Sequence, residues 1–226
     1  MNTNFEDATT PLRRREWYDK DAPWKANKIS QILKNNAITP QSVCEIGCGA
    51  GDVLVNLSTH FDSSVTFTGY ETAQEGFELC KQEETENIHF YNKDLLKEDV
   101  FFDVVMAVNV FTHVRDYLGF LSKLRRRGEY KIFHIPLHIT VYTVLRSRYM
   151  QNKDYMLGHL HHFNKETALG TLQGTGYQII DYFYTSRYVD TPDLPFRYKF
   201  WKLLAAINQD FAAKLLGGFN LMVLTK

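Results

Sequence analysis

Long apolar runs are missing from this sequence. Nowhere among its 226 residues is there an uninterrupted 18-residue apolar stretch, so no membrane-spanning helix is expected. The opening segment MNTNFEDATTPLRRREW has no continuous apolar core of the kind a secretory signal needs. Cysteine is scarce: three residues cannot all pair within one chain, and a disulfide scaffold is excluded. Reduced thiols in a cytoplasmic protein are the expectation. Cys44-x3-Cys48 has no second pair of the usual zinc form, so no metal is expected. Net charge is absent too. Twenty-six basic side chains balance 26 acidic ones, which argues against a globally cationic nucleic-acid binder. No nucleic-acid partner is expected, whereas peripheral membrane contact stays open and the oligomeric state is not legible.

What is present is apolar and aromatic surface. Hydrophobic residues make up 44% of the chain and aromatics 14%, enough to bury a core and to exclude overall disorder. The length suits one substantial domain with additions. Residues 1–22 read as an arm or lid on a domain spanning 23–226. Helical spacing of Trp24, Ile29, Ile32 and Leu33 is followed by a strand over 42–46, a helix over 51–60, a strand over 65–70 and a helix over 72–81. IHFYNKD is the third strand, and the unalternating run Val104–Val108 has the pattern of a strand buried on both faces. A helix over 117–124 and the strand EYKIFHIP follow. The alternation predicts an α/β fold with a mostly parallel sheet and right-handed crossovers. After Pro136 the rhythm changes: 137–165 and 185–216 read as additions on the acceptor side, with 196–216 helical before a final strand FNLMVLTK.

The sharpest local signal is Glu45-Ile46-Gly47-Cys48-Gly49-Ala50-Gly51, joining a strand to a helix. Gly47, Gly49 and Gly51 permit left-handed backbone and close ligand approach beside a helix N-terminus. A dinucleotide fingerprint would place its third glycine at 50 or 52, which are Ala50 and Asp52, and no Gly-Lys-Ser or Gly-Lys-Thr ending marks a phosphate loop. Glu45 can meet the positive amino-acid portion of a ligand. Glu71 ends the second strand, where a carboxylate bridges ribose hydroxyls, and Asp94 ends the third, near an adenine amino group.

The segment EIGCGAG, Glu71 in GYETAQEG, Asp94 in NKDLL and DVVMAVNVFTHV together resemble the class I S-adenosylmethionine-dependent methyltransferases. That resemblance implies a Rossmann-like fold: a mostly parallel seven-stranded sheet with one antiparallel strand, flanked by helices. It implies S-adenosyl-L-methionine as cofactor and S-adenosyl-L-homocysteine as product. Cofactor contacts are then expected from Glu45, Gly47, Cys48, Gly49, Gly51, Glu71, Thr72, Asp94, Leu95 and Asn109, with Tyr18 and Trp24 closing over. Phe111-Thr112-His113 replaces the Leu-Glu-His common after the fourth strand, and Arg125–Glu129 replaces the usual Leu-Lys-Pro-Gly-Gly turn. A narrower resemblance, carried by IFHIPL, GHLHHFNKETALGTLQGTGY and GGFNLMVL, is to small methyltransferases of bacterial capsule and surface-polysaccharide biosynthesis.

In such a fold the acceptor lies over the carboxyl ends of the strands. His138, His162 and His113 are, in that order, the candidates for a catalytic base. Loop capping, packing or acceptor binding without proton transfer competes for each. His138, His161 and His162, with Arg146 and Arg148, are the candidates for binding the acceptor. The stretch 123–153 holds eight Lys or Arg against one Glu, suited to an anionic sugar or phosphate metabolite. Arg125, Arg126 and Arg127 are more cheaply read as a solvated turn. PheArgTyrLysPheTrpLysLeuLeu over 196–204 reads as an acceptor cover, a subunit contact or a membrane-surface helix. The expected reaction is O-methylation of a small molecule. N-methylation, RNA modification and a noncatalytic adenosine-binding interaction protein are the alternatives.

Overall fold

The structure is a computed structural model that describes residues 21–145, 158–190 and 199–226. Tyr18, Arg146 and Arg148, and most of the proposed arm, lie outside the described residues.

The chain enters through helix α1 (Ala22–Asn35), with Pro23 in its first turn, where a missing N–H costs nothing. Ala22, Ala26, Ile29 and Leu33 recur at three- and four-residue spacing, so one stripe of α1 is buried. Strand β1 (Ser42–Ile46), helix α2 (Asp52–Ser58), strand β2 (Thr66–Tyr70), helix α3 (Gln74–Cys80) and strand β3 (Ile88–Tyr91) form two successive crossovers. Strand β4 (Phe102–Val108), helix α4 (Tyr117–Leu124) and strand β5 (Gly128–Leu137) form another. Beyond β5 come the short helix α5 (Val141–Leu145), helix α6 (Lys165–Gly174) and strand β6 (Ile179–Thr185). Helices α7 (Arg187–Asp190), α8 (Lys199–Ile207) and α9 (Gln209–Leu216) precede the last strand, β7 (Phe219–Thr225).

The strands form one seven-stranded sheet in the order β3-β2-β1-β4-β5-β7-β6. β1 to β5 are parallel, and β7 runs antiparallel between β5 and β6. This is the expected α/β architecture, with β6 and β7 paired like a hairpin across a long helical excursion. Five successive residues of β4, Val104 to Val108, are buried, because helices cover both faces of the sheet. One apolar layer gathers Phe111, Leu121, Phe133 and Leu172. The other gathers Ile29, Leu54, Phe67 and Phe90. Burying each such side chain is worth about 1.5–3 kcal/mol relative to leaving it in water.

Two local expectations change. The helix expected over 196–216 is broken: Asn208 adopts extended backbone and its side chain accepts a hydrogen bond from Phe211 N, starting α9 afresh. The arginine turn is also better anchored than a solvated one, since Arg125 donates to Gly176 O and Arg127 to Leu96 O. Helix α8 does expose an apolar face, with Phe200, Leu203 and Ile207 all more than half exposed. No helix among the described residues is long and apolar enough to cross a membrane.

The order of the sheet positions the site. β1 lies between β2 and β4, so the connections leaving β1 and β3 diverge to opposite sides. In open α/β sheets of this order the ligand crevice lies where they part, here over the carboxyl ends of β1 and β4.

Candidate active site

At the end of β1 the chain turns through Gly47, Gly49 and Gly51, whose φ angles are 67°, 56° and 85°. A side chain at Gly47 would sit 3.0 Å from Val110 Cγ2, and one at Gly51 would sit 2.7 Å from Phe90 Cζ. The glycines therefore satisfy backbone conformation and close packing together. Gly47 N and Cys48 N both donate to Tyr70 O, at 2.7 and 3.2 Å, which ties the loop to the end of β2.

The next residue, Glu71, continues that tie with its side chain. Its Oε2 accepts from Gly49 N at 2.8 Å, and its Oε1 accepts from Ala73 N at 2.7 Å. Each carboxylate oxygen has a second lone pair, so the group still has capacity for hydroxyl donors. Thr72 beside it is exposed. Asp94, after β3, caps a short 3-10 turn by accepting from Leu96 N at 3.0 Å, and Lys97 lies 3.8 Å from its other oxygen. Leu95 is fully buried in the core. Asp94 thus caps the turn after β3 and remains a partly exposed carboxylate.

Glu45 is buried at the floor, and its Oε2 has no hydrogen-bond partner. Burial pushes its carboxyl up to about 8, while the Lys25 ammonium pulls the other way and Asp52 and Glu71 add to the rise. Burial likewise holds Lys25 below its ordinary range. An unsatisfied buried carboxyl oxygen under a glycine loop fits a cationic ligand group.

On the other side of the crevice, Asn109 follows β4 with φ of 59°, a left-handed conformation that asparagine tolerates better than most residues. Its N–H donates to His134 O, and its Oδ1 meets His134 Nδ1 at 2.9 Å. The other ring nitrogen of His134 meets Thr185 Oγ1 at 2.9 Å. Burial lowers His134 to about 3, so the ring is neutral at pH 7. Trp24 packs its edge on His134 with centroids 5.9 Å apart and donates through Nε1 to Asp190. His134 and Lys25 were not expected at the site. The one available signal for His134 was an imidazole inside the strand EYKIFHIP, and Lys25 had none.

Past the ends of β4 and β5 the histidines collect. Leu160 N and His161 N both donate to Thr112 O, and Ile139 N donates to Phe163 O. Residues 158–163 are thereby stitched across the ends of β4 and β5. The rings of His113 and His159 lie 4.4 Å apart, those of His138 and His159 4.6 Å, and those of His138 and His162 5.6 Å. His161 turns aside: it stacks near Tyr117 and its Nε2 meets Val114 O at 3.0 Å. Burial, with the neighbouring His162 and His113, lowers His138 to about 4, and burial also lowers His113 and His162. His159 joins the three expected bases although the sequence pattern assigned it no role. No group of three or more metal-ligating side chains among the described residues is arranged to hold a metal ion. A cavity of about 600 Å³ opens beside His162, lined by Tyr117, Leu118, Phe163 and Thr171.

Solved structures share this architecture. The magnesium protoporphyrin IX methyltransferase of Synechocystis PCC 6803, determined with bound SAH, superposes with a TM-score of 0.65 at 14% identity. The match covers 95% of this chain and 92% of that one. The plantazolicin methyltransferase BpumL, also with SAH, gives 0.61 at 16% identity over 96% and 91% of the two chains. A possible histamine N-methyltransferase of Thermotoga maritima gives 0.60 at 16% identity over 95% and 94%. No curated protein matches the sequence significantly. A family model described as a methyltransferase domain matches residues 17–182, well over half the chain and spanning both the glycine loop and the histidines. By that match, the chain belongs to the methyltransferase domain family.

Proposed function

We propose that this chain binds S-adenosyl-L-methionine in the crevice over β1 and β4 and methylates an oxygen of a small acceptor, leaving S-adenosyl-L-homocysteine. The observation that carries the reading is the Glu71 carboxylate held against Gly49 at the crevice, inside the matched domain. Structural neighbours with bound SAM or SAH support it.

In this reading Gly47, Cys48, Gly49 and Gly51 cradle the methionine portion. Glu45 neutralises its ammonium, directly or through water. Glu71 accepts the ribose hydroxyls, Asp94 and Leu95 border the adenine with Thr72 at the rim, and Asn109 and Trp24 wall the reactive end. Tyr18, expected to close over the cofactor, lies outside the described residues. Bound there, the cofactor supplies a methyl group already activated by its sulfonium charge. His138, neutral at pH 7, accepts the hydrogen bond of the acceptor hydroxyl and takes its proton as the oxygen–carbon bond forms. Because the buried ring is a weak base, positioning by His138, His113 and His162 supplies most of the acceleration.

For the acceptor we favour a sugar, nucleotide-linked sugar or phosphate-bearing metabolite of surface-polysaccharide assembly. The support is the basic excess over 123–153, with Arg146 and Arg148 as its anion-binding members, and the resemblance of the histidine-bearing segment. Residues 137–165 and 185–216 would then shape the acceptor side. Purified protein, isotopically labelled methyl donor and a pool of phosphorylated sugars and nucleotide sugars test this by mass spectrometry. One added methyl on a pool member is expected; label transferred only to amines or RNA would overturn the acceptor class. In His138→Ala, transfer is expected to fall about 100-fold with donor affinity kept, and an unchanged rate would reject the base role.

A further inference from the structure

His134 holds the residue that follows β4 by its main chain and its side chain together. It pairs with Val108 across the parallel β4–β5 ladder and so stands level with the last residue of β4. Its carbonyl accepts from Asn109 N at 2.9 Å, and its Nδ1 meets Asn109 Oδ1 at 2.9 Å. Its Nε2 reaches across β7 to Thr185 Oγ1 at the end of β6, again at 2.9 Å. Trp24, tethered through Nε1 to Asp190, packs edge-on against the ring. Burial, and after it the Lys25 charge, keeps the ring neutral, which leaves one proton for two nitrogens. The amide oxygen of Asn109 can only accept, so that proton sits on Nδ1, and Nε2 accepts from the Thr185 hydroxyl. Oδ1 of the half-buried Asn109 is thereby committed, while its Nδ2 makes no hydrogen bond among the described residues. The next residue, Val110, adjoins the glycine loop at Gly47, where a Cβ would lie 3.0 Å from Val110 Cγ2. A donor is therefore left beside the Gly47 end of the loop, whereas Glu71 is fastened to Gly49.

We propose that His134 is a positioning residue of the cofactor site: through Nδ1–H it sets the Asn109 amide so that Nδ2–H donates to the α-carboxylate of the cofactor's methionine portion. The inference rests on the cofactor reading above and supplies the partner of one ligand group. The methionine portion carries an ammonium and a carboxylate. Glu45 suits the ammonium, whereas the carboxylate only accepts and needs a donor. With the ribose at Glu71 beside Gly49, the amino-acid portion falls to the Gly47 side, where Asn109 stands. A carboxamide has two orientations of nearly the same shape, and a half-turn between them exchanges donor and acceptor. Nδ1–H selects one of them. The half-turn would set two donors against each other and present an oxygen to the carboxylate. Thr185 reinforces the choice from β6, because a hydroxyl donating to Nε2 keeps the ring proton on Nδ1.

A spectrum of the wild type and a pair of ligands test this. Long-range proton–nitrogen correlation on the full chain, labelled with nitrogen-15 histidine, reads the His134 tautomer at pH 7. A protonated Nδ1 and a bare Nε2 are expected; a proton on Nε2 would overturn the proposal. S-adenosylhomocysteine and its decarboxylated analogue, which keeps the ammonium, are then titrated calorimetrically into wild type, His134→Leu, His134→Asn and Thr185→Val. In His134→Leu, S-adenosylhomocysteine is expected to bind about tenfold more weakly while the analogue binds as before. His134→Asn offers an amide N–H in place of Nδ1–H and is expected to recover most of that loss. Thr185→Val removes only a hydroxyl, two strands away from His134, and is expected to cost about threefold for S-adenosylhomocysteine alone. It carries the same comparison where His134→Leu does not fold. Equal weakening of both ligands would make His134 a purely structural residue, and equal S-adenosylhomocysteine affinity in all four proteins would show that the ring positions nothing; either overturns the proposal. A folded wild type that binds neither ligand would overturn the cofactor reading, and this inference with it.

Discussion

Glu71 does two things with one carboxylate: it fastens Gly49 and Ala73 through their N–H groups and leaves lone pairs toward the crevice. The residues beside it can be ranked by what a substitution would disturb. Gly51 is the least replaceable, because its φ of 85° and the Phe90 ring 2.7 Å from a new Cβ act together. Gly51→Ala is expected to cost about 1–3 kcal/mol, read as a lower urea midpoint at unchanged slope. Glu45 carries a pH signature. Its folded carboxyl titrates at about 8, so a cationic ligand that needs the ionised form gains affinity as pH rises from 6 to 8. Isothermal titration of S-adenosylmethionine across that range is expected to show the gain in the wild type and to lose it in Glu45→Gln. The glycines and both acids were legible in the sequence because their spacing reports backbone need directly. Lys25 and His134 were not, since their importance comes from burial beside Glu45 and Asn109, and burial of a polar residue has no local signature.

Among elements, the parallel half of the sheet followed from unalternating apolar runs separated by helical spacing, and the structure bears that out strand by strand. The acceptor-side additions were harder. The helix starts there are set by single polar side chains whose effect is conformational: Asn164 and Thr167 form a reciprocal capping box at α6, and Asn208 restarts the chain at α9. Replacing Asn164 by Ala is expected to cost about 1 kcal/mol, measured as lost thermal stability with the histidine segment still in place. The periodicity over 196–216 continues through Asn208, which is why it predicts one helix. The clustering of four imidazoles was half legible. Sequence order puts His113 and His138 after strands, but it is the hydrogen bonds of Leu160 and His161 to Thr112 and of Ile139 to Phe163 that bring His159 and His162 against them.

Over the whole molecule, the buried ionisable groups pull stability in two directions with pH. His134 and His138 are neutral in the fold, at about 3 and about 4, and would be protonated below 6.5 when unfolded. The unfolded chain therefore binds more protons between those values, and stability is lost as pH falls below 6.5. Glu45 behaves oppositely: the fold keeps its proton up to about 8 whereas the unfolded chain releases it near 4.5, so its contribution is lost as pH rises through 8. Two histidines outweigh one carboxyl below 6.5, and above it the carboxyl acts alone among the three. The ligand-free protein is expected to have its highest melting temperature near pH 6.5, and Glu45→Gln to flatten the alkaline limb. A monotonic profile would contradict that assignment. The central claim, that the crevice over β1 and β4 is a cofactor site organised by Glu71, is tested most directly by titrating S-adenosylmethionine calorimetrically into wild type, Glu71→Gln and Glu71→Ala under reducing conditions. The account predicts one site per chain in the wild type, weaker binding in Glu71→Gln and at least tenfold loss in Glu71→Ala with the melting transition retained. Equal affinity in all three, or no binding by folded wild type, would contradict it.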